Sequence, residues 1–190
     1  MILPIYTYGQ PVLRKEAEPL DTTSAEVRQK LEQLIPDMFE TLAHADGVGL
    51  AAPQIGLDIR MVIVDLSPCA EEDPAFADYK KVYINPDIYE ESEEECSMGE
   101  GCLSLPGIHE SVKRPVSVKV RYLDEHFQEH NEELTGFPAR VIQHECDHLD
   151  GTMFIDHLSS LRKQMIRGKL TSLLKGKVHA DYKTKSVRKP

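Results

Sequence analysis

No run of apolar residues in this chain of 190 approaches the ~20 that a membrane-spanning helix needs, so a membrane role is not expected. The opening Met1-Ile2-Leu3-Pro4-Ile5-Tyr6 lacks the basic residues and the long apolar stretch of an export signal. The cytoplasm is therefore the expected location, where the few cysteines (Cys69, Cys96, Cys102 and Cys146) are expected as thiols or metal ligands and not as disulfides. A phosphate-cradling loop is also missing: the glycine-rich run at 47–56 has neither the Lys-Ser/Thr of a Walker A motif nor a G-x-G-x-x-G pattern. Bases are scarce over the first 161 residues, 12 against 31 acids, whereas the stretch from Arg162 onward carries ten Lys or Arg and one acid, Asp181. In a chain of net charge −10, that asymmetry offers a basic handle for an anionic partner such as RNA, or simply a solubilising tail. A hydrophobic share of 41% and a charged share of 28% suit one soluble domain.

Residues 1 to 20, punctuated by Gly9, Pro11 and Pro19, read as extended and turn-rich. Behind cap candidates at Asp21 to Ser24, the residues Val27, Leu31, Leu34, Met38 and Leu42 recur at three- and four-residue steps. That spacing predicts an amphipathic helix to about His44, with Pro36 a point of irregularity. Strands are expected over Arg60–Leu66, Lys81–Ile88 and Val116–Tyr122, a charged hairpin or loop over Leu123–Leu134, and an acidic solvated edge at Glu90–Glu95. A final amphipathic, basic helix is expected over Leu158–Leu174, followed by a polar, disordered tail from 176 to 190. The body, 1–175, has no internal repeat and no boundary.

The chemistry concentrates in Gln143-His144-Glu145-Cys146-Asp147-His148-Leu149-Asp150-Gly151. On a helix, His144 and His148 lie on one face, so both imidazoles can reach one metal, with Glu145 beside them as a proton carrier. Phe137 and Val141 continue that stripe N-terminally, as core wall or as pocket wall. Two histidines do not complete a site, since a catalytic centre of this kind takes three protein ligands and keeps one position for water. The downstream His of one zinc-protease pattern is absent, its slot being Phe154, and no glutamate follows Glu145. Asp150 and Asp156 are weak substitutes. Cys102, in the tightly shaped Glu100-Gly101-Cys102-Leu103-Ser104-Leu105-Pro106, is the better third ligand, with Cys96 its competitor among acidic neighbours. A closed Cys96-Cys102-His144-His148 site is conceivable but would leave Glu145 without a role. Gln54, the single polar side chain in the apolar loop 47–56, is a candidate donor in a pocket.

Taken together, these stretches resemble the peptide deformylase family, whose three motifs stand here in order as Gly47 to Gln54, Glu100 to Ser104 and His144 to His148. The likeness runs from Pro11-Val12-Leu13-Arg14 to the last helix. It implies an α+β fold: one domain, with small mixed or antiparallel sheets around the central motif helix, and a C-terminal helix. It implies one divalent metal on Cys102, His144 and His148, with iron(II) the usual ion and zinc, nickel or cobalt able to occupy the site. It also implies hydrolysis of the formyl group from the N-terminal formylmethionine of new polypeptides, releasing formate. In that chemistry the metal lowers the pKa of its bound water from about 15.7 to about 7, and the resulting hydroxide attacks the formyl carbon. Glu145 acts as general base, then general acid, while Gln54 and the Leu103 N–H stabilise the oxyanion. Val48, Phe137 and Val141 are expected to line the methionine pocket, with Gly49 leaving room for substrate backbone. His109 stands near the position where many members carry a substrate-contacting Arg. Cys146 is expected in the core, and Arg140 to face solvent. A monomer without DNA or membrane partners is expected, with the basic last helix a docking element for the ribosome.

Overall fold

The computed structural model describes residues 1–188. In chain order it forms β1 (Ile5–Tyr6), α1 (Ala25–His44), β2 (Gly49–Ala51), β3 (Met61–Asp65), β4 (Lys80–Glu91), β5 (Glu95–Gly101), β6 (His109–Pro115), β7 (Ser117–Leu123), β8 (Glu129–Thr135), α2 (Gly136–Leu149), α3 (Ser160–Leu174) and β9 (Thr184–Lys185). Five strands make an antiparallel sheet in the order β2-β3-β4-β7-β8; β5 pairs with β6, and β1 with β9.

The sheet's two faces follow from the period-two alternation of its strands. Along β3, Val62 and Val64 point into one cluster with Tyr83, Val118 and Val120, where α2 supplies Ala139, Ile142, Cys146 and Leu149. Met61 and Ile63 point the other way, to Leu31, Met38 and Leu42 of α1. β3 is thus buried on both faces, as its unbroken Met-Val-Ile-Val run requires. Ser24 caps α1, its hydroxyl accepting the Val27 N–H at 3.4 Å, and the helix runs unbroken through Pro36.

Pro86 does not end its strand. The register shifts between Ile84 and Asp87, and Asn85 takes a positive φ of 49°, so the residue without an N–H sits at a bulge and β4 continues to Glu91. The charged segment before α2 is a hairpin. Asp124 accepts the N–H groups of His126 and Gln128 and turns β7 into β8. No strand pattern in the sequence announces the β5–β6 pair, because Glu95 to Gly101 carries no β-branched or aromatic residue.

Two expectations are corrected at the C-terminus. The helix α3 buries only Ile166 and Leu173 fully, leaving Leu161 and Met165 in solvent, so its apolar stripe is narrower than an amphipathic core helix needs. The segment expected to be disordered is ordered through residue 188: Thr184 and Lys185 pair with Ile5 and Tyr6 in parallel, and Gln10 donates to the carbonyls of Lys185 and Ser186. Its polar composition hides the fact that backbone pairing, together with a few apolar contacts from Val178, Tyr182 and Val187, holds it. Residues 189–190 of the expected tail lie outside the described residues.

Candidate metal centre

The ligand atoms of Cys102, His144 and His148 all lie within 4.8 Å of one another. The two histidines share a face of α2, as their spacing demands. Cys102 arrives from the turn after β5, with its Sγ 3.3 Å from His148 Nε2. Among the described residues no fourth His, Cys, Asp or Glu joins the group. Cys96 is exposed at the far end of β5, with its Sγ 3.5 Å from an Arg140 nitrogen. Asp150 pairs with Arg60 and Asp156 with Arg14, away from the centre. The closed four-ligand arrangement is therefore not formed.

The His144 imidazole is held in orientation by Glu100, a residue whose role the sequence did not disclose. His144 Nδ1 lies 2.8 Å from Glu100 Oε1, which leaves Nε2 free to face the cluster. Glu100 is itself gripped by Arg114, through Nε at 2.7 Å and a terminal nitrogen at 3.0 Å, and by Arg140 at 2.8 Å. Arg114 also donates to Asp147 at 2.8 Å, and His157 meets the same Asp147 oxygen. Two buried guanidinium groups and two carboxylates thus balance under the motif helix. Burial alone would raise the Glu100 carboxyl; the bonds from His144, Arg114 and Arg140 outweigh it and hold the group far below the usual carboxylate range. Arg140, expected in solvent, is buried, because its donors are spent on Glu100 and on the carbonyls of Val112 and Cys96. In the β5–β6 register Glu100 stands opposite Glu110 and Arg114 opposite Cys96, so no local pattern in the sequence pairs Arg114 with Glu100.

Replacing Glu100 by Gln leaves two buried cations against a neutral amide. Urea unfolding of Glu100→Gln is expected to show a loss of about 3 kcal/mol. Glu90→Gln, which breaks an exposed pair with Lys119, should unfold at the wild-type midpoint.

The other candidate residues Gln54, Leu103 and Glu145 lie around the same cleft as the cluster. Burial works to raise the Cys102 thiol, but the charge of His148 and the hydrogen bonds of both histidines bring it down to about 5, which favours the thiolate that a metal ligand needs. Glu145 is buried, and its Oε2 has no partner among the described residues. Burial is the main cause that pushes its carboxyl up to about 7, against the pull of the two histidines. The room left by Gly49 is taken by this carboxylate: a Cβ on Gly49 would lie 2.6 Å from Glu145 Oε1. Gln54 sits on a 3-10 turn (Ala52–Ile55) closed by Gly56 at φ +86°. Its Oε1 accepts the Ala51 N–H, which fixes the amide so that Nε2 faces Ser104 Oγ at 3.2 Å and Cys102 Sγ at 3.5 Å. Among the described residues nothing accepts the Leu103 N–H. His148 Nδ1 likewise lacks the acceptor expected for a ligating histidine. Cys146 is buried in the first cluster, away from the ligands, with its thiol pushed up by burial.

A cleft of about 570 Å³ opens over these groups. Val48, Gly49, Phe137 and Val141 line it, as do Gln54, Glu145 and Leu103. His109, opposite Gly101 in the β5–β6 pair, stands on its rim with the ring packed over that glycine. One thiolate and two imidazoles, an unpartnered carboxylate beside them and an apolar cleft above form a donor set that fits a divalent transition metal and excludes the all-oxygen coordination of calcium or magnesium.

Comparison with known proteins gives the same answer by a separate route. The family model described as polypeptide deformylase matches residues 2–164. A peptide deformylase of Christiangramia forsetii is 46% identical over 190 residues, covering 96% of this chain and 95% of its own. One of Cytophaga hutchinsonii is 46% identical over 97% of both chains. The crystal structure of a peptide deformylase from Legionella pneumophila superposes with a TM-score of 0.79 at 36% identity, covering 93% of this chain and 98% of that one. With the motifs, the site geometry, the family match and the fold in agreement, the chain belongs to the polypeptide deformylase family.

Proposed function

We propose that this enzyme removes the formyl group from the N-terminal formylmethionine of nascent peptides by hydrolysis at a single divalent metal held by Cys102, His144 and His148, with iron(II) the native ion. As a deformylase, the chain is a hydrolase acting on N-formylated nascent peptides. The observation that carries the finer reading is the three-ligand cluster with the unpartnered Glu145 carboxylate beside it in one cleft. When bound, the metal would supply Lewis-acid polarisation and a water ligand acidic near neutral pH.

The chain's own residues do the rest. Glu145 holds a proton at its carboxylate and passes it to the departing amine, a task suited to a group poised near neutrality. Gln54 Nε2 and the Leu103 N–H donate to the oxygen that gains charge as the formyl carbon becomes tetrahedral. The Gln54 amide cannot turn away, because Ala51 holds its other end. Val48, Phe137 and Val141 give the methionine side chain an apolar wall. The Gly49 backbone aligns the peptide, and His109 meets it at the rim.

The test is formate release from formyl-Met-Ala-Ser by protein purified without oxygen. About one metal per chain and loss of activity on chelation are expected. Metal-loaded protein that released no formate would refute the reading.

The outward face of α3 supports ribosome docking: Lys163, Arg167 and Lys169 stand exposed beside Leu161 and Met165. Co-sedimentation with ribosomes should weaken steeply with salt and after Lys163, Arg167 and Lys169 are changed to Glu. Binding unchanged by those three substitutions would exclude this face. Among the described residues no helix is long and apolar enough to cross a membrane.

A further inference from the structure

The cleft has one side that neither the motifs nor the methionine wall explains. His179, Ala180, Asp181 and Tyr182 line it together with Cys102, Leu103 and Glu145. These four residues belong to the segment that follows α3, beyond the 2–164 that match the family model. Tyr182 is half-buried and packs on the second core cluster, as Leu103 does, whereas Val48, Phe137 and Val141 belong to the first. The cleft is thus walled from two different cores, and this segment contributes to the Leu103 side.

The segment is held firmly enough to serve as a wall. Immediately downstream, Thr184 and Lys185 add to Ile5 and Tyr6 as a parallel pair, with the Ile5 N–H donating to Lys183 and the Thr7 N–H to Lys185. Further on, Val187 closes with Leu174 over Gly9, where a Cβ would collide with both. Between these clips and α3, the Tyr182 hydroxyl donates to the Leu103 carbonyl at 2.7 Å.

That bond touches the chemistry through Leu103. Its N–H is the backbone donor for the developing oxyanion. Only two soft torsions separate that N–H from the carbonyl of the same residue, so a fixed carbonyl restricts where the N–H points. Preorganised donors contribute most when they need not reorient during the reaction.

We propose that His179–Tyr182 is a wall of the substrate cleft and that Tyr182 is a positioning residue, its hydroxyl holding the Leu103 backbone in the orientation that receives the reacting carbonyl. The inference rests on the deformylase reading of the site. Tyr182→Phe keeps the ring and deletes the hydroxyl; Tyr182→Ala removes the ring from the wall as well.

With formyl-Met-Ala-Ser, Tyr182→Phe is expected to lower kcat about five-fold, with KM within two-fold and metal content unchanged. Tyr182→Ala is expected to raise KM in addition, and to weaken binding of the product Met-Ala-Ser in calorimetry by a similar factor. A residue that only stabilised the fold would shift the melting temperature and leave kcat, KM and product binding at wild-type values well below it. That outcome in both variants overturns the proposal. Failure of the wild type to release formate would instead overturn the deformylase reading itself.

Discussion

Glu145→Gln is expected to retain one metal per chain and to lose about a thousand-fold in kcat, within the range that a positioned proton carrier supplies. The amide matches the carboxylate in shape, so its packing against Gly49 survives. What disappears is the ability to accept and return a proton. Stability should not fall with activity. The carboxylate is buried, its Oε2 has no partner among the described residues, and burial holds its carboxyl up at about 7, which together mark a group that costs the fold free energy when ionised. Thermal melting of metal-free protein checks this, and metal analysis with formate release checks the kinetic claim. A kcat within ten-fold of wild type at full metal content would remove Glu145 from the mechanism.

Cys102→Ser should bind metal at least about a hundred-fold more weakly, because a serine hydroxyl stays protonated where this thiol is ionised. The thiolate depends on its setting: His148 lies 3.3 Å away and His144 adds a second hydrogen bond, which together overcome burial. A competing chelator titrated against wild type and variant measures the difference directly. Cys96→Ser, whose sulfur meets an Arg140 nitrogen and not the ligand cluster, is the control and should hold its metal as wild type does. Equal affinity in Cys102→Ser and wild type would exclude the thiolate ligand.

Much of the site was legible because helical spacing is local chemistry. His144, Glu145 and His148 face one point for reasons contained in five residues, and a helix there suffices to bring two ligands together. The helix α1 was readable on the same ground, since a three- to four-residue period survives wherever one face is buried, and β3 was readable as a short unbroken apolar, β-branched run because both its faces are buried. Cys102 stood as the best of several third ligands, distinguished by the shaped loop around it and then by resemblance to a family. Its distance of some forty residues from the histidines placed any proof beyond local patterning.

What the sequence by itself determined, then, is the ligand pair, the proton carrier between them and the family that the three motifs share. The tertiary structure decided everything that depends on which charges share one low-dielectric volume. It turned Arg140 inward, because Glu100, brought by β5, and the carbonyls of Val112 and Cys96 offer its donors more than water does. It made Glu100 the orienting partner of His144 and joined both to Arg114 and Asp147. It also folded the polar C-terminal segment back along β1 to place Tyr182 on Leu103. Composition cannot report such pairings. A polar residue reads as solvent-facing until the fold supplies a partner, and these partners lie between 14 and 179 positions away in the chain.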